Sequence, residues 1–163
     1  MATTNSTTAH SPKPVWFITG CSTGFGRELA RHLLESGYRT VVTARNPDDL
    51  RDLAGIGESL VLKLDVTDQA QIDAAIVAAE EKFGRIDVLV NNAGIGYFGA
   101  VEESEEDQVR WMFDVNVFGL LQVTQAFLPL LGAVKNCPHD PGRVINISSI
   151  SGLRGAPRRS VYA

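Results

Sequence analysis

A chain of 163 residues, 44% hydrophobic and 21% charged, has the size and composition of one globular domain with its own core. Its net charge of −4, without any Lys/Arg stripe, gives no footprint for nucleic acid, and no apolar run is long enough to cross a bilayer. Two cysteines far apart, Cys21 and Cys137, make no disulfide framework and point to a reducing, cytoplasmic setting.

Residues 1–13 are rich in Ser, Thr and Ala and lack Leu, Ile and Val, so neither a signal peptide nor an Arg-rich transit peptide is expected there. A disordered tail is expected, followed by a single domain over 14–163. Val15-Trp16-Phe17-Ile18 reads as a buried strand. Phe25, Leu29, Leu33 and Leu34 then share one helical face, and Gly37 supplies the stop. A second strand is predicted over 40–43, a short helix over 47–53, a third strand over 60–64 and a helix over 68–83 closed by Gly84. A fourth strand is predicted over 86–90, a long helix over 105–131 bent near Pro129, and a fifth strand over 144–147. Apolar strands separated by helices predict an α/β fold: a doubly wound parallel sheet between two helical layers.

In such a sheet ligands bind beyond the carboxyl ends of the strands, so the loops there are searched for chemistry. After strand one comes Thr19-Gly20-Cys21-Ser22-Thr23-Gly24-Phe25-Gly26. Glycines at this place let the backbone approach a pyrophosphate at the positive end of the next helix. The spacing is Gly-x-x-x-Gly-x-Gly, not the usual dinucleotide fingerprint, and a glycine cluster there can also be only a tight turn. After strand four comes Asn91-Asn92-Ala93-Gly94; Asn116 lies within the following helix; Ser148-Ser149 follows strand five; Tyr162 stands thirteen positions after Ser149.

Together these motifs resemble the short-chain dehydrogenase/reductase family, over nearly all of 15–163. The resemblance implies a Rossmann-type, three-layer α/β/α fold with strand order 3-2-1-4-5 and hydride transfer between a nicotinamide cofactor and an alcohol/ketone pair. Tyr162 would be the proton donor or acceptor, Ser149 rather than Ser148 would hydrogen-bond the substrate oxygen, and Asn116 would hold a water in the proton relay. A mid-helix Asn can also cap a kink or face water. Gly20, Ser22, Thr23, Gly24, Phe25, Gly26, Asn92, Ala93, Gly94 and Tyr162 would contact the cofactor. Asp65 would accept a bond from the adenine amino group, with Val66 flanking the ring.

Strand two ends Thr43-Ala44-Arg45, without the acid that would bind the ribose 2′-hydroxyl of NAD. Arg45 suits a 2′-phosphate instead, so NADP(H) is favoured over NAD(H), although an Arg at a strand end can also be merely solvated. The family's lysine, four residues after the tyrosine, would fall beyond Ala163, as would its last helix-strand units. The chain therefore reads as the N-terminal, incomplete part of an enzyme that would be a homo-oligomer at full length and act on a small alcohol or carbonyl compound. The alternative is an inactive nucleotide-binding fragment or interaction module. Strand five would then stand at an open edge beside an apolar helix face of Val115, Phe118, Leu121 and Val123, an arrangement that favours association.

Other features are discounted. Ser104 and Asp107 fit a capping box for the acidic run 102–107. Cys137 and His139 lack the further ligands a zinc site needs, and His10 and His32 have no partners in view. The sequons at Asn5 and Asn146 lack a secretory context or lie in a buried strand. No metal and no membrane association is expected.

Overall fold

The computed structural model describes residues 13–132, 142–154 and Tyr162. The tail up to residue 12, with Asn5 and His10, lies outside the described residues, as do Cys137, His139 and Ala163. The elements run β1 (Val15–Ile18), α1 (Gly24–Glu35), β2 (Arg39–Ala44), β3 (Ser59–Lys63), α2 (Gln69–Phe83), β4 (Val88–Asn91), α3 (Glu106–Phe113), α4 (Leu120–Gly132) and β5 (Arg143–Asn146). The strands form one five-stranded sheet in the order β3-β2-β1-β4-β5, every neighbouring pair parallel.

Successive side chains of a strand point to opposite faces, so a strand covered on both faces must be apolar throughout. Phe17, Val41 and Leu89 join Val123 and Phe127 of α4 and Ile72 of α2 in one buried cluster. Ile18, Val42 and Val90 join Ala30, Leu33 and Leu34 of α1 in the other. The result is a three-layer α/β/α sandwich of the Rossmann type. The Phe17 and Phe127 rings, with centroids 4.4 Å apart, tie the sheet to α4. At the opposite end from the loops discussed below, Asp87 Oδ2 accepts from Val15 N at 2.7 Å and the same carboxylate pairs with Arg85. This buried charge anchors the start of β1.

Several expectations need correction. The third strand starts one residue earlier than predicted, and the fourth runs Val88–Asn91 instead of 86–90. The predicted short helix is a 3₁₀ turn, Pro47–Leu50. Phe25 is 79% exposed, because the buried stripe of α1 runs through Gly26, Ala30, Leu33 and Leu34. The Ser104/Asp107 capping box does not form: Glu105 is the N-cap, and the Ser104 hydroxyl donates to Ala100 O at 2.9 Å.

The long helix is interrupted at Asp114–Gly119, a π segment, whereas Pro129 sits inside α4 without ending it. Two contacts draw the chain inward at the interruption. Gly119 lies against Val66 so closely that a β-carbon would come within 2.8 Å of its methyl group. Asn116 is bonded to Ile95, as described below. Of the predicted apolar face, Val115 and Val123 are buried while Phe118 and Leu121 are about half exposed.

Taken end to end, Glu106–Leu131 spans 26 residues and contains an 18-residue stretch of mean hydropathy 1.2, long and apolar enough by length and composition to cross a membrane. A search for apolar runs misses it because Asp114, Asn116 and Gln122 break the run. Here its Val115, Val123, Phe127 and Leu131 lie in the core against the sheet.

Candidate functional site

Two cavities open at the carboxyl ends of the strands, of about 290 and 530 Å³, and share the wall Asn92-Ala93-Gly94-Ile95 that follows β4. The first is lined after β1 by Gly20, Ser22, Thr23 and Phe25, after β2 by Arg45, and after β3 by Asp65 and Val66, with Trp111 and Val115 closing it from the helix. The second is lined by Asn116 and Leu120, by the segment 146–149 at the end of β5, and by Gly152 and Tyr162.

Thr19 joins the loops. Its Oγ1 accepts from Asn92 N at 3.0 Å and from Ala93 N at 2.9 Å. Asn92 returns the link, its Nδ2 donating to the carbonyls of Thr19 and Gly20, each at 2.9 Å. Gly26 lies directly beneath this amide: a β-carbon there would fall 2.3 Å from Asn92 Nδ2. Gly26 and Gly24 therefore line neither cavity; Gly26 lets the two loops meet, and Gly24 takes a φ of +61° at the start of α1. Cys21, between Gly20 and Ser22 in the same loop, is fully buried, and burial pushes its thiol up to about 12, so it carries no nucleophile to this site.

Most charges on α1 and in the segment after β2 are already paired outside the first cavity. Arg27 and Arg31 both pair with Asp52, and Arg51 pairs with Asp48. Desolvation pushes the Asp52 carboxyl upward, but hydrogen bonds from Arg31 and Arg27 outweigh it and hold the group below its ordinary value of 3.8. Arg45 lines the cavity, is exposed, and makes no hydrogen bond or ion pair with the described residues. Asp65 Oδ1 accepts from Thr67 N at 3.0 Å and Thr67 Oγ1 at 2.8 Å. The backbone N–H of Asp65 donates to Gln71 Oε1 at 3.0 Å, tying this loop to the first turn of α2.

In the second cavity Asn116 spends both ends of its amide on one residue: Oδ1 accepts from Ile95 N and Nδ2 donates to Ile95 O, each at 2.8 Å. The side chain is thus a brace for the shared wall. Ser148 and Ser149 both line the cavity, and Ser149 Oγ accepts from Ser151 N at 3.2 Å. The Tyr162 ring lies 6.3 Å from that of Phe98. Apart from the two glycines, every residue expected at the site lines one cavity or the other. The sequence pattern gave Thr19, Ile95 and Trp111 no role of their own and placed Val115 only on an apolar helix face. Thr19 stood within the quoted loop, and a hydroxyl at a strand end beside a glycine turn was the available signal.

Residues 14–163 match the short chain dehydrogenase family. The chain is 39% identical over 151 residues to an oxidoreductase, BOA17, of Botryotinia fuckeliana, covering 91% of this chain and 53% of that protein. Among solved structures it superposes with a TM-score of 0.85 and 31% identity on a 3-ketoacyl-(acyl-carrier-protein) reductase of Brucella melitensis complexed with NADH, covering 93% of this chain and 63% of that one. It superposes with a TM-score of 0.81 and 33% identity on the actinorhodin polyketide ketoreductase with NADPH, covering 92% and 58% respectively. The chain spans about half the length of its relatives, 53% in the first case. It belongs to the short chain dehydrogenase family.

Proposed function

We propose that this chain forms the cofactor-binding and proton-transfer part of an oxidoreductase that interconverts an alcohol and a ketone with NADP(H). The observation that carries the reading is the pair of cavities sharing one wall, nucleotide-reading groups on one side and hydroxyl groups on the other.

The residues present fit a dinucleotide. Val66 and Val115 offer apolar surface for an adenine ring, and Asp65 offers a carboxylate for its amino group. Arg45 is the one arginine lining the first cavity among the described residues and has no partner among them, whereas Arg27, Arg31 and Arg51, outside its lining, are already paired. That favours a 2′-phosphate, because a charge-assisted pair gains most where the cation has no competing carboxylate. NADH and NADPH are each bound by a structural relative, so the family alone does not choose between them.

When bound, the nicotinamide supplies or accepts the hydride. The chain's residues manage the proton. Tyr162 Oη donates its proton to the substrate oxygen during reduction and takes it back during oxidation. Ser149 Oγ donates a hydrogen bond to the same oxygen and stabilises the charge developing on it. Because the Asn116 amide is committed to Ile95, a relay water would hang from its main-chain carbonyl, in a π segment where the regular backbone ladder is broken. The substrate is a small alcohol or carbonyl compound.

NADPH oxidation with a panel of ketones, run beside binding titrations of NADPH and NADH, tests the reading. Turnover with tighter NADPH binding is expected. Binding without turnover would leave a nucleotide-binding module, and no binding of either cofactor would overturn the reading.

A further inference from the structure

Arg27 occupies an unusual position between the two loops that would flank a 2′-phosphate. Its Nη1 donates to the main-chain carbonyl of Ser22 at 3.1 Å, in the glycine loop, and to that of Asp49 at 2.7 Å, in the turn that follows Arg45. Its Nη2 pairs with Asp52, whose other oxygen accepts from Arg31 at 2.7 Å. One guanidinium thus links the tip of the loop after β1 to the segment after β2.

The roots of both loops are fixed without it. Cys21 N donates to Thr43 O at 2.7 Å, and Leu50 and Leu53 are fully buried in the core. What Arg27 adds is the spacing of the tips, where Ser22 and Thr23 face Arg45 across the first cavity. Its own charge is spent: its side chain is 23% exposed and engaged by a carboxylate and two carbonyls, whereas Arg45 is exposed and unengaged. Reading the phosphate therefore falls to Arg45, and holding the walls apart at the right width falls to Arg27.

We propose that Arg27 is a positioning residue for NADP(H) selectivity, setting the width of the subsite between Ser22-Thr23 and Arg45. This rests on the reading that Arg45 meets the 2′-phosphate. A preorganised fork of donors gives up less freedom on binding than loops that must find each other, and a lysine cannot reproduce the fork.

Dissociation constants for NADPH and NADH are measured by fluorescence titration for the wild type and for Arg27→Met, Arg27→Lys and Arg45→Asp, with thermal unfolding of each. Arg27→Met should weaken NADPH by about tenfold and NADH by less than about threefold, with Arg27→Lys in between. Equal weakening of both cofactors, or of neither, overturns the proposal, since a merely structural link has no reason to distinguish them. If Arg27→Met fails to fold, Asp52→Ala removes the carboxylate that holds Arg27 in place and should shift the same ratio by about threefold; an unchanged ratio overturns the proposal. A wild type without preference for NADPH sinks both the reading and the proposal. A preference abolished by Arg45→Asp but untouched by Arg27→Met sinks the proposal alone.

Discussion

The loops around the first cavity hang from β1 and β2, almost wholly buried, and from the partly buried β3, and are cross-bonded by Thr19, Asn92 and Arg27. The second cavity leans on β5, whose four residues are all exposed, with Val144 at 38% and Ile145 at 37%, and on a helix bent by a π segment. The two regions share a fold and a wall but not a degree of preorganisation. A nucleotide meets walls already in place, which lowers the ordering cost of binding it. The second cavity borders exposed apolar strand surface at Val144 and Ile145.

If the cavities divide the work, substitutions should separate affinity from turnover. The largest effect is expected at Tyr162. In a preparation of the protein that turns over, Tyr162→Phe should lower kcat by about 10²–10⁴-fold while the dissociation constant for NADPH stays within about twofold. Steady-state kinetics beside a binding titration checks both. Ser149→Ala should be severe and Ser148→Ala milder; the reverse ranking would shift the register of the active site by one residue.

Asn116 should break the division, because it braces the wall both cavities share. Asn116→Ala leaves Ile95 N–H and C=O without their partners, a cost of about 1–3 kcal/mol for groups that are partly buried. The melting temperature, NADPH affinity and turnover should all fall together. Loss of turnover alone would mean that the amide acts on the substrate and not on the wall.

Arg45→Asp should restore the division. It removes the unpaired cation and adds an acceptor for a ribose hydroxyl, so NADPH should weaken by about tenfold while NADH holds or tightens. An unchanged preference would mean that Arg45 is solvated and the 2′-phosphate is read elsewhere.

Much of this was legible in the sequence, for identifiable reasons. Strands such as Val15–Ile18 are apolar throughout because both faces are covered, and the loops after them carry the chemistry because the parallel topology puts them there. Phe25 misled because apolar residues need not be inside; the helical stripe passes through Gly26 beside it, and Phe25 faces the cavity. The π segment was invisible because one extra residue in a turn barely disturbs a 3.6-residue pattern. The contacts made there, Asn116 on Ile95 and Gly119 on Val66, join distant parts of the chain. Arg27 gave no signal either, since nothing local distinguishes an arginine that joins two loops from one on a solvated helix face.

The smallest effect concerns the first cavity again, at the root of the loop that carries Asp65. Asp68 is the N-cap of α2: Oδ1 accepts from Gln71 N at 3.2 Å and Oδ2 from Gln71 Nε2 at 2.6 Å, while Gln71 Oε1 holds the backbone of Asp65. The hydrogen bond from the Gln71 side chain, followed by that from its backbone, lowers the Asp68 carboxyl below its ordinary value of 3.8. A carboxyl lowered by folding stabilises the fold above its unfolded value, and that contribution disappears as pH falls through the folded value. Asp68→Asn should therefore melt lower than the wild type at pH 7, and the gap should narrow as pH is taken below 3.8. Melting curves of both proteins across that range test this. No gap at pH 7 would mean that the cap works through geometry rather than charge, because the Asn oxygen still accepts the Gln71 N–H bond. The sharper outcome is at the cavity: NADPH affinity of the variant should fall slightly with its stability, since Gln71 couples this cap to the loop of Asp65, while the second cavity, which has no bond to this cap, should keep its turnover at saturating cofactor.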